Sequence, residues 1–371
     1  MKSVGILTFL HNGNYGSSLQ AYALQRVIRE MGYEAEHMDY KPDRQEKIRN
    51  MLRSGNSPRL LLDGMRKRQV QGAQAGMREK IRLIDDFYAR RMNLSSPCRS
   101  RKELEALSPK YDVLLCGSDQ IWNPVWMNPA YFLSFGDPSK PRIAYAPSLG
   151  VHHAPARRKC RMIRRMTALF DAISVREEEG ARLMVTITGE RPEVLPDPVC
   201  LLDRNAWEEV ACPAPGGDPY LLCYFIGENP SYWEQVRKIS GETGLKPLVI
   251  PVTADSYAQP FERLDGVGPE GFLGAVAGAG EMCTDSFHGL VFATIFEKKA
   301  HLIRRYREDD PESKNSRVDH FLREVRAKGL AAMRQEGTGW LRDRLAETEG
   351  SMLGREPTVA PVGRSLKAKG R

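Results

Sequence analysis

Short apolar runs separated by segments of helical periodicity recur along the chain, and this alternation constrains the fold more than any other feature of the sequence. The first run, residues 4–9, is followed by a polar loop and then by apolar residues at helical spacing that stop at Gly32. A second strand is expected over residues 36–40, before Pro42. Further apolar runs, each short enough for a strand buried on both faces of a parallel sheet, occupy residues 113–116, 143–146, 173–175 and 194–195. The alternation predicts an α/β fold built on parallel strands.

A break in composition divides the chain into two parts. The Pro- and Gly-rich stretch 212–219 interrupts the alternation, and a length of 371 residues fits two domains. Beyond the break, predicted strands and helices alternate again at residues 248–250, 272–279, 282–284, 290–296 and 301–303. We therefore predict Rossmann-like domains over 1–212 and 213–345, followed by a flexible tail over 346–371.

The cysteines and the apolar segments indicate a cytoplasmic protein. Seven cysteines, an odd number, are scattered without a Cys-x-x-Cys pair, so neither a disulfide framework nor a zinc site is expected. The first residues show no charged leader and no cleavage site, and no apolar stretch reaches the ~20 residues needed to cross a bilayer. We expect a soluble protein of the cytoplasm, with the inner face of the membrane as a candidate location.

The net charge of +8 favours anionic partners. The excess is concentrated in residues 41–68, 157–165 and 364–371, which carry no interleaved aromatic residues, so stacking on nucleic acid bases is not expected. Solvated helix faces are the ordinary explanation for such segments. The alternative hypothesis is that the first segment lies against an anionic membrane that carries a lipid-linked acceptor.

Two loops that follow predicted strands are rich in polar groups, and ligands of parallel α/β folds bind beyond the carboxyl ends of the strands. Loop 11–18 places Gly, Asn and Ser at a helix start, where backbone amides can hold an anion or a sugar hydroxyl. It lacks the dinucleotide-binding and P-loop spacings, and a tight turn capped by Ser17 or Ser18 is equally consistent with it. Loop 117–124 combines carboxylate, amide and indole groups, which suit a sugar better than a plain turn.

Two single residues stand out for their chemistry. Arg176 ends a short apolar run, where a guanidinium is well shaped to bind a carboxylate or phosphate; an ion pair with one of the glutamates at 177–179 is the alternative. His288 lies where a helix is predicted to begin, and a histidine there can act as acid or base near neutral pH. It is the best catalytic candidate among the seven histidines, the alternative being a capped histidine of the core.

The polar motifs occur in an order that resembles a known family. In chain order they are Asn14-Tyr15-Gly16, Gln20-Ala21-Tyr22-Ala23-Leu24-Gln25, Gly117-Ser118-Asp119-Gln120-Ile121-Trp122-Asn123-Pro124, Tyr145-Ala146, Ser174-Val175-Arg176-Glu177, Asp197-Pro198 and Thr284-Asp285-Ser286-Phe287-His288-Gly289. Together they resemble the polysaccharide pyruvyl transferase family over roughly residues 1–330.

The resemblance implies a glycosyltransferase-B-like arrangement of the two Rossmann-like domains. It also implies phosphoenolpyruvate as donor, a pair of sugar hydroxyls as acceptor and a pyruvyl ketal as product. The first domain would supply the acceptor surface, and the second domain would mainly hold the donor. On this basis the predicted acceptor-binding residues are Asn14, Tyr15, Gly16, Ser118, Asp119, Gln120, Trp122 and Asn123.

The same resemblance assigns roles on the donor side. It makes His288 the general acid and Arg176 a donor-binding residue, with Ser286 and Gly289 beside them. No metal-ligand cluster is visible in the sequence, so we expect neither a metal nor a bound cofactor, and phosphoenolpyruvate would act as co-substrate.

One position departs from the family pattern. Characterised relatives carry an arginine two residues before the histidine, where this chain has Ser286. A donor with both a carboxylate and a phosphate calls for a second cation, so we expect Arg317 to supply it, with Arg304 or Arg305 as alternatives.

The sequence therefore predicts transfer of a pyruvyl group to a sugar of a polysaccharide, such as an exopolysaccharide, or of its lipid-linked precursor. Two alternatives stay open at this point, because a fold does not fix a function. One is a nucleotide-sugar glycosyltransferase on the same fold, and the other is a non-catalytic carbohydrate-binding relative.

Overall fold

Two parallel β-sheets flanked by helices form the frame of the protein in the computed structural model, which describes residues 1–56, 75–305 and 315–351. The first sheet has six strands in the order β2-β1-β3-β4-β5-β6. Its strands are β1 Ser3–Leu7, β2 Glu34–His37, β3 Val113–Cys116, β4 Arg142–Ala144, β5 Ala172–Val175 and β6 Glu193–Val194. The second sheet has five strands in the order β11-β10-β7-β8-β9. Its strands are β7 Tyr220–Tyr224, β8 Lys246–Val249, β9 Glu262–Arg263, β10 Glu281–Thr284 and β11 Lys299–Leu302.

Helices connect the strands of each sheet. In the first half of the chain they are α1 Tyr15–Glu30, α2 Arg44–Ser54, α3 Ala75–Arg91, α4 Arg101–Leu107, α5 Arg157–Thr167, α6 Glu178–Thr188 and α7 Arg204–Glu208. In the second half they are α8 Tyr232–Thr243, α9 Ala254–Tyr257, α10 Pro269–Gly278, α11 Phe287–Ile295 and α12 Asn315–Ser351. Short 3-10 helices occupy Ser108–Lys110, Pro129–Phe132 and Pro198–Leu201. Within the described residues, no helix has the length and apolar character needed to span a bilayer.

Strand β3 shows how the apolar runs produce this architecture. All four of its residues are fully buried, and alternate side chains enter different core clusters. Val113 and Leu115 join one cluster, whereas Leu114 and Cys116 join the other. A strand covered by helices on both faces must be apolar at every position, which is why it appears in the sequence as a continuous run. The predicted α/β fold is confirmed.

The two-residue strand β9 was not predicted. Both of its residues, Glu262 and Arg263, are exposed, and β9 lies at the edge of the second sheet. An edge strand with two solvent-facing charged residues has no apolar run by which it could be found in the sequence.

The last helix crosses from the second sheet back to the first. Gly329 lies inside α12 with φ 76° and ψ 163°, a conformation that interrupts the helix and that glycine adopts without steric cost. Beyond it, Trp340 donates a hydrogen bond to Glu193 at 2.8 Å, and Gly337 is so close to Tyr145 that an added Cβ would lie 2.5 Å from the hydroxyl. The tail predicted from residue 346 begins within this helix, and residues 352–371 lie outside the described part of the chain. The domain boundary near residue 212 stays a prediction.

Tyr15, at the start of α1, fixes the two halves of the molecule against each other. Its hydroxyl donates to the carbonyl of Val267 at 2.8 Å, and its ring stacks on Phe272 with centroids 4.7 Å apart. The start of α1 therefore faces the second half of the chain directly.

Candidate active site

A cavity of about 100 Å³ lies where loops that follow strands of both sheets meet. Residues from both halves of the chain line it: Asn14, Asp119, Gln120, Ile226, Asp285, Ser286, Phe287, His288, Leu302, Arg304, Arg305, Arg317 and Val318. A cleft between two α/β domains, beyond the carboxyl ends of their strands, is the usual position of a ligand site in such folds.

His288 reaches this cavity from the first turn of α11 and is held by both halves of the molecule. The hydroxyl of Ser286 caps the helix by accepting a hydrogen bond from the Gly289 amide at 3.2 Å. From the first half, Gly16 packs so closely on the imidazole that an added Cβ would lie 2.0 Å from Nδ1. The Nε2 atom lies 3.4 Å from Oδ2 of Asp197, without the alignment of a good hydrogen bond. The ring is therefore buried on one side and open to the cavity on the other.

Asp197 is the carboxylate on which this part of the site converges. Its Oδ2 atom accepts a hydrogen bond from Arg176 at 2.6 Å and from Ser118 at 3.0 Å. Burial alone would raise the pKa of Asp197, but the adjacent His288 and the guanidinium of Arg176 outweigh it and hold the pKa well below its usual range. Asp197 is therefore an anion that orients a histidine and an arginine.

Arg176 lies behind the cavity and does not line it. It lines a smaller recess of about 20 Å³, with its Nη1 on Asp197, its Nε 3.7 Å from Glu177 and its guanidinium 4.8 Å from the ring centre of Phe287. Burial lowers the pKa of Arg176, but the charges of Asp197 and Glu177 outweigh burial and raise it overall. The sequence left open an ion pair between Arg176 and one of the glutamates at 177–179. Glu177 is indeed near Arg176, but Asp197 is the closer partner.

Arg317 lines both the cavity and the recess. With the amide oxygen of Gln120 turned towards it, Arg317 donates from its two terminal nitrogens at 3.0 and 3.2 Å. Its Nε atom is buried, and no hydrogen-bond acceptor reaches it within the described part of the chain. Burial and the nearby charge of Arg176 lower the pKa of Arg317 to about 10. The structure thus places this arginine where the sequence analysis expected a second cation.

The two alternative cations, Arg304 and Arg305, also line the cavity. Arg304 pairs with Asp319 at 2.7 Å, and Arg305 pairs with Asp285 at 2.9 Å. Both guanidinium groups therefore reach the cavity while bound to a carboxylate.

The loops that build this cavity are the motifs that carried the family resemblance. The family model of the polysaccharide pyruvyl transferases matches residues 14–305. The chain belongs to the polysaccharide pyruvyl transferase family. A comparison with curated proteins finds no match.

Several solved structures are similar to this chain over nearly its whole length, at low sequence identity. The structure of S. aureus MnaA with UDP matches with a TM-score of 0.50 and 10% identity, covering 97% of this chain and 100% of that one. A UDP-GlcNAc 2-epimerase from Neisseria meningitidis, bound to UDP-GlcNAc, matches with a TM-score of 0.49 and 9% identity, covering 94% of this chain and 100% of that one. The glycosyltransferase SnogD from Streptomyces nogalater matches with a TM-score of 0.39 and 12% identity, covering 95% of this chain and 98% of that one. The fold is α/β, with two Rossmann-like domains in a glycosyltransferase-B-like arrangement.

Three of the predicted acceptor residues lie together on the first-domain side of the pyruvyl transferase cavity. Asn14 caps α1, and its side chain accepts a hydrogen bond from the amide of Gly16 at 2.9 Å. Asp119 has a left-handed backbone with φ 69°, and it accepts a hydrogen bond from Ser17 at 2.5 Å. Gln120 completes the group beside Arg317. All three line the same cavity as His288.

Trp122 is placed in the core instead. It is fully buried, stacks on Phe132 with centroids 4.9 Å apart and donates from its indole nitrogen to the carbonyl of Tyr131 at 3.1 Å. Its ring offers no face to a sugar in this conformation, because Phe132 and the surrounding core cover it.

Other predicted acceptor residues shape the site without lining it. Ser118 binds Asp197, Asn123 accepts a hydrogen bond from the amide of Val125 at 2.9 Å, and Tyr15 lies in the domain contact. Gly16 forms the close packing against His288. Their polar atoms are engaged in holding the loops in place.

Asp285 is a site residue that the sequence analysis did not select. Its two oxygens accept hydrogen bonds from the amides of Ile226 and Gly227 at 2.7 and 2.9 Å, from Tyr232 at 2.8 Å and from Arg305. It therefore ties three loops of the second domain together. The available signal for Asp285 was its position directly before Ser286 in the motif. No rule of residue spacing, however, connects it to Ile226 and Gly227, which lie about sixty residues earlier in the chain.

Proposed function

We propose that the protein transfers a pyruvyl group from phosphoenolpyruvate to two hydroxyls of a sugar in a polysaccharide or its precursor, forming a pyruvyl ketal. The observation that carries this proposal is one cavity lined by His288 and Arg317, in which no carboxylate of the described residues lies within 4.0 Å of Arg317. A dianionic donor would supply the missing negative charge, and the histidine would supply a proton beside it.

The first step of the proposed reaction adds a hydroxyl across the enol double bond. His288 gives a proton to the terminal methylene carbon, which becomes a methyl group, while one sugar oxygen forms a bond to the central carbon and gives its proton to Asp119. Asp119 lines the same cavity as His288, which supports this role as the base of the step. Positioning of the two reactants supplies much of the rate in such a scheme.

The second step closes the ketal. The bond between the central carbon and the phosphate oxygen breaks, the second sugar hydroxyl bonds to the same carbon, and its proton passes to the released phosphate. Charge accumulates on the departing phosphate, so fixed cations at that position stabilise the transition state. Arg317, together with Arg304 and Arg305, can supply this charge because all three line the cavity.

His288→Gln is the direct test of this proposal. The variant and the wild-type protein are incubated with phosphoenolpyruvate and a panel of free and lipid-linked glycans, and released phosphate and the mass of each glycan are followed together. We expect the wild-type protein to couple phosphate release to an added pyruvyl group and His288→Gln to lose about 100-fold or more of that rate. His153→Gln, at an exposed histidine outside the cavity, is the matched control and should keep full activity.

Three outcomes would contradict the proposal. Undiminished turnover of His288→Gln would remove the general acid. Protection against thermal unfolding by a nucleotide sugar, with none by phosphoenolpyruvate, would favour a glycosyltransferase on this fold. Binding of phosphoenolpyruvate without phosphate release, across every acceptor, would favour a non-catalytic relative.

A further inference from the structure

Helix α2 has an unusual distribution of side chains. It buries Glu46, Asn50 and Ser54, which lie on one face at intervals of four residues. It exposes Ile48 at 38% and Leu52 at 67% of their surface. A surface helix of a globular protein normally turns its apolar stripe inward and its polar side outward. Here the apolar pair faces solvent, which indicates a surface that is covered when the protein works.

A second exposed apolar pair lies in the loop just after the cavity wall. Val125 and Trp126 are exposed at 44% and 38%. The loop is tied to the end of α2, because Asn56 donates to the carbonyl of Met127 at 3.0 Å. Two exposed apolar pairs therefore belong to neighbouring, connected segments.

The start of helix α5 joins the same surface. Lys159 donates to the side chain of Asn56 at 3.0 Å and also to the carbonyl of Pro124, so it bridges the end of α2 and the loop. Arg158 donates to the carbonyl of Arg53 at 3.4 Å. We call this set of residues the α2–α5 surface: the exposed apolar residues of α2 and of the loop 124–127, with the basic residues of α2 and α5.

The charge of the α2–α5 surface is strongly positive. Arg49, Arg53, Arg157, Arg158 and Arg161 are all exposed. Helix α5, Arg157–Thr167, contains no acidic residue. Within the described residues, one of these five arginines forms an ion pair with a carboxylate: Arg49 lies 3.6 Å from Glu46. Exposed basic and exposed apolar side chains thus occur on the same set of connected segments.

We propose that the α2–α5 surface binds the interface of an anionic lipid bilayer. Exposed apolar residues flanked by arginines match the layer in which acyl chains meet negatively charged head groups. Trp126 is a residue type that favours that layer. A nucleic acid or an acidic glycan would need the arginines but would leave Leu52 uncovered, so a bilayer accounts for both features at once.

This surface adjoins the acceptor side of the cavity. Asp119 and Gln120 line the cavity, and the chain reaches Val125 five residues later. A bilayer bound at the α2–α5 surface would therefore lie beside the first-domain wall, where a lipid-linked acceptor would enter. This consequence rests on the proposed function, whereas membrane binding does not.

Co-sedimentation with vesicles tests the inference without any substrate. The full chain is mixed with vesicles of phosphatidylcholine alone, or with about one third phosphatidylglycerol, at low and high salt. We expect binding to the anionic vesicles at low salt, weak binding to the neutral ones, and loss at high salt. Ile48→Ser/Leu52→Ser should weaken the binding about tenfold or more because it removes the apolar contact, and Arg157→Glu/Arg161→Glu should do so because it reverses the charge.

Matched substitutions outside the surface serve as controls. Val185→Ser removes an exposed apolar residue of α6, and Arg237→Glu reverses an exposed charge of α8. Both should bind anionic vesicles as the wild-type protein does. All variants should keep wild-type activity on a short soluble acceptor, so a failure of membrane binding is distinguished from a failure of the proposed function.

Several results would overturn the inference. Unchanged vesicle binding by Ile48→Ser/Leu52→Ser would show that the apolar pair is not the contact. Equal binding to neutral vesicles would remove the role of the arginines. Self-association in sedimentation velocity that this double variant abolishes would make a second copy of the chain the occupant instead.

Discussion

Arg176 and Arg317 carry the same charge and line the same small recess, but the surrounding protein treats them differently. Arg176 is paired with Asp197 at 2.6 Å, and its pKa is raised because nearby carboxylates outweigh burial. Arg317 meets the amide of Gln120 instead, and its pKa is lowered to about 10 by burial and by the charge of Arg176. Arg176 is paired directly with a carboxylate, whereas Asp119 and Glu177 act on Arg317 from beyond the distance of an ion pair and only partly offset the lowering of its pKa.

The difference separates a structural arginine from a ligand-binding one. A buried cation with a carboxylate partner can remain charged at little net cost, and removing it leaves that carboxylate unpaired. A cation without a partner costs folding free energy and is retained where an anion from outside completes the pair. By this reasoning Arg317 is the stronger donor-binding candidate, and Arg176 holds Asp197 beside His288.

The largest expected effect comes from Arg176→Met. This substitution leaves the buried carboxylate of Asp197 without its guanidinium partner, although Ser118 still donates to it, so we expect the free energy of unfolding to fall by about 3–5 kcal/mol. Denaturation in urea measures it. Arg176→Met/Asp197→Asn removes both charges and should recover most of the loss. A loss below about 1 kcal/mol in the single variant would mean that Asp197 is not a buried anion.

Arg317→Met applies the same substitution to the other arginine. We expect kcat/KM for phosphoenolpyruvate to fall about 100- to 1000-fold, because a charge facing the departing phosphate is removed. The free energy of unfolding should stay equal or rise, since the pKa of Arg317, lowered to about 10, shows that its charged form is disfavoured in the folded state. If Arg317→Met destabilised the protein as much as Arg176→Met does, the distinction between the two arginines would fail.

Gly16→Ala sharpens the comparison by disturbing His288 from the first domain while leaving every charge in place. An added Cβ would lie 2.0 Å from the Nδ1 atom, so the imidazole must move. We expect a loss of about 1–3 kcal/mol in stability and at least about a tenfold fall in kcat. Gly241→Ala, in a helix where an added Cβ meets nothing within 4 Å, is the control and should keep both. An unchanged kcat in Gly16→Ala would mean that the histidine tolerates displacement.

The sequence showed the fold more fully than the site, for a physical reason. Strand β3, Val113–Cys116, could be located because burial on both faces leaves a local record at every position. The role of Asp197 left no such record. Which of several carboxylates faces Arg176 depends on where different strands end, and this is set by packing across the sheet.

Trp122 and Arg317 illustrate the same limit from opposite sides. From the sequence, the indole of Trp122 could face a ligand or the core. In the structure it stacks on Phe132 in the core, and residue spacing cannot predict this packing. Arg317 was expected in the site because the chemistry of a dianionic donor requires a second cation, and the structure places it in the cavity. Its role in binding a donor stays a prediction.

Arg317→Lys is the mildest way to probe this arginine, because it keeps the charge and removes the planar fork. Burial and Arg176 lower the pKa of Arg317 to about 10, and the same two causes should lower the pKa of a lysine at this position below its ordinary value of about 10.4. Since the donor binds the charged form, the affinity of the variant for phosphoenolpyruvate should fall as the pH rises from about 7 to about 9, relative to the wild-type protein, which stays charged. Calorimetric titration at both pH values measures it, with Arg176→Lys as the control, whose lysine beside Asp197 should stay charged throughout. If the affinities of Arg317→Lys and of the wild-type protein changed with pH in the same way, position 317 would be well solvated. The charge of Arg317 would then cost no more folding free energy than the charge of Arg176.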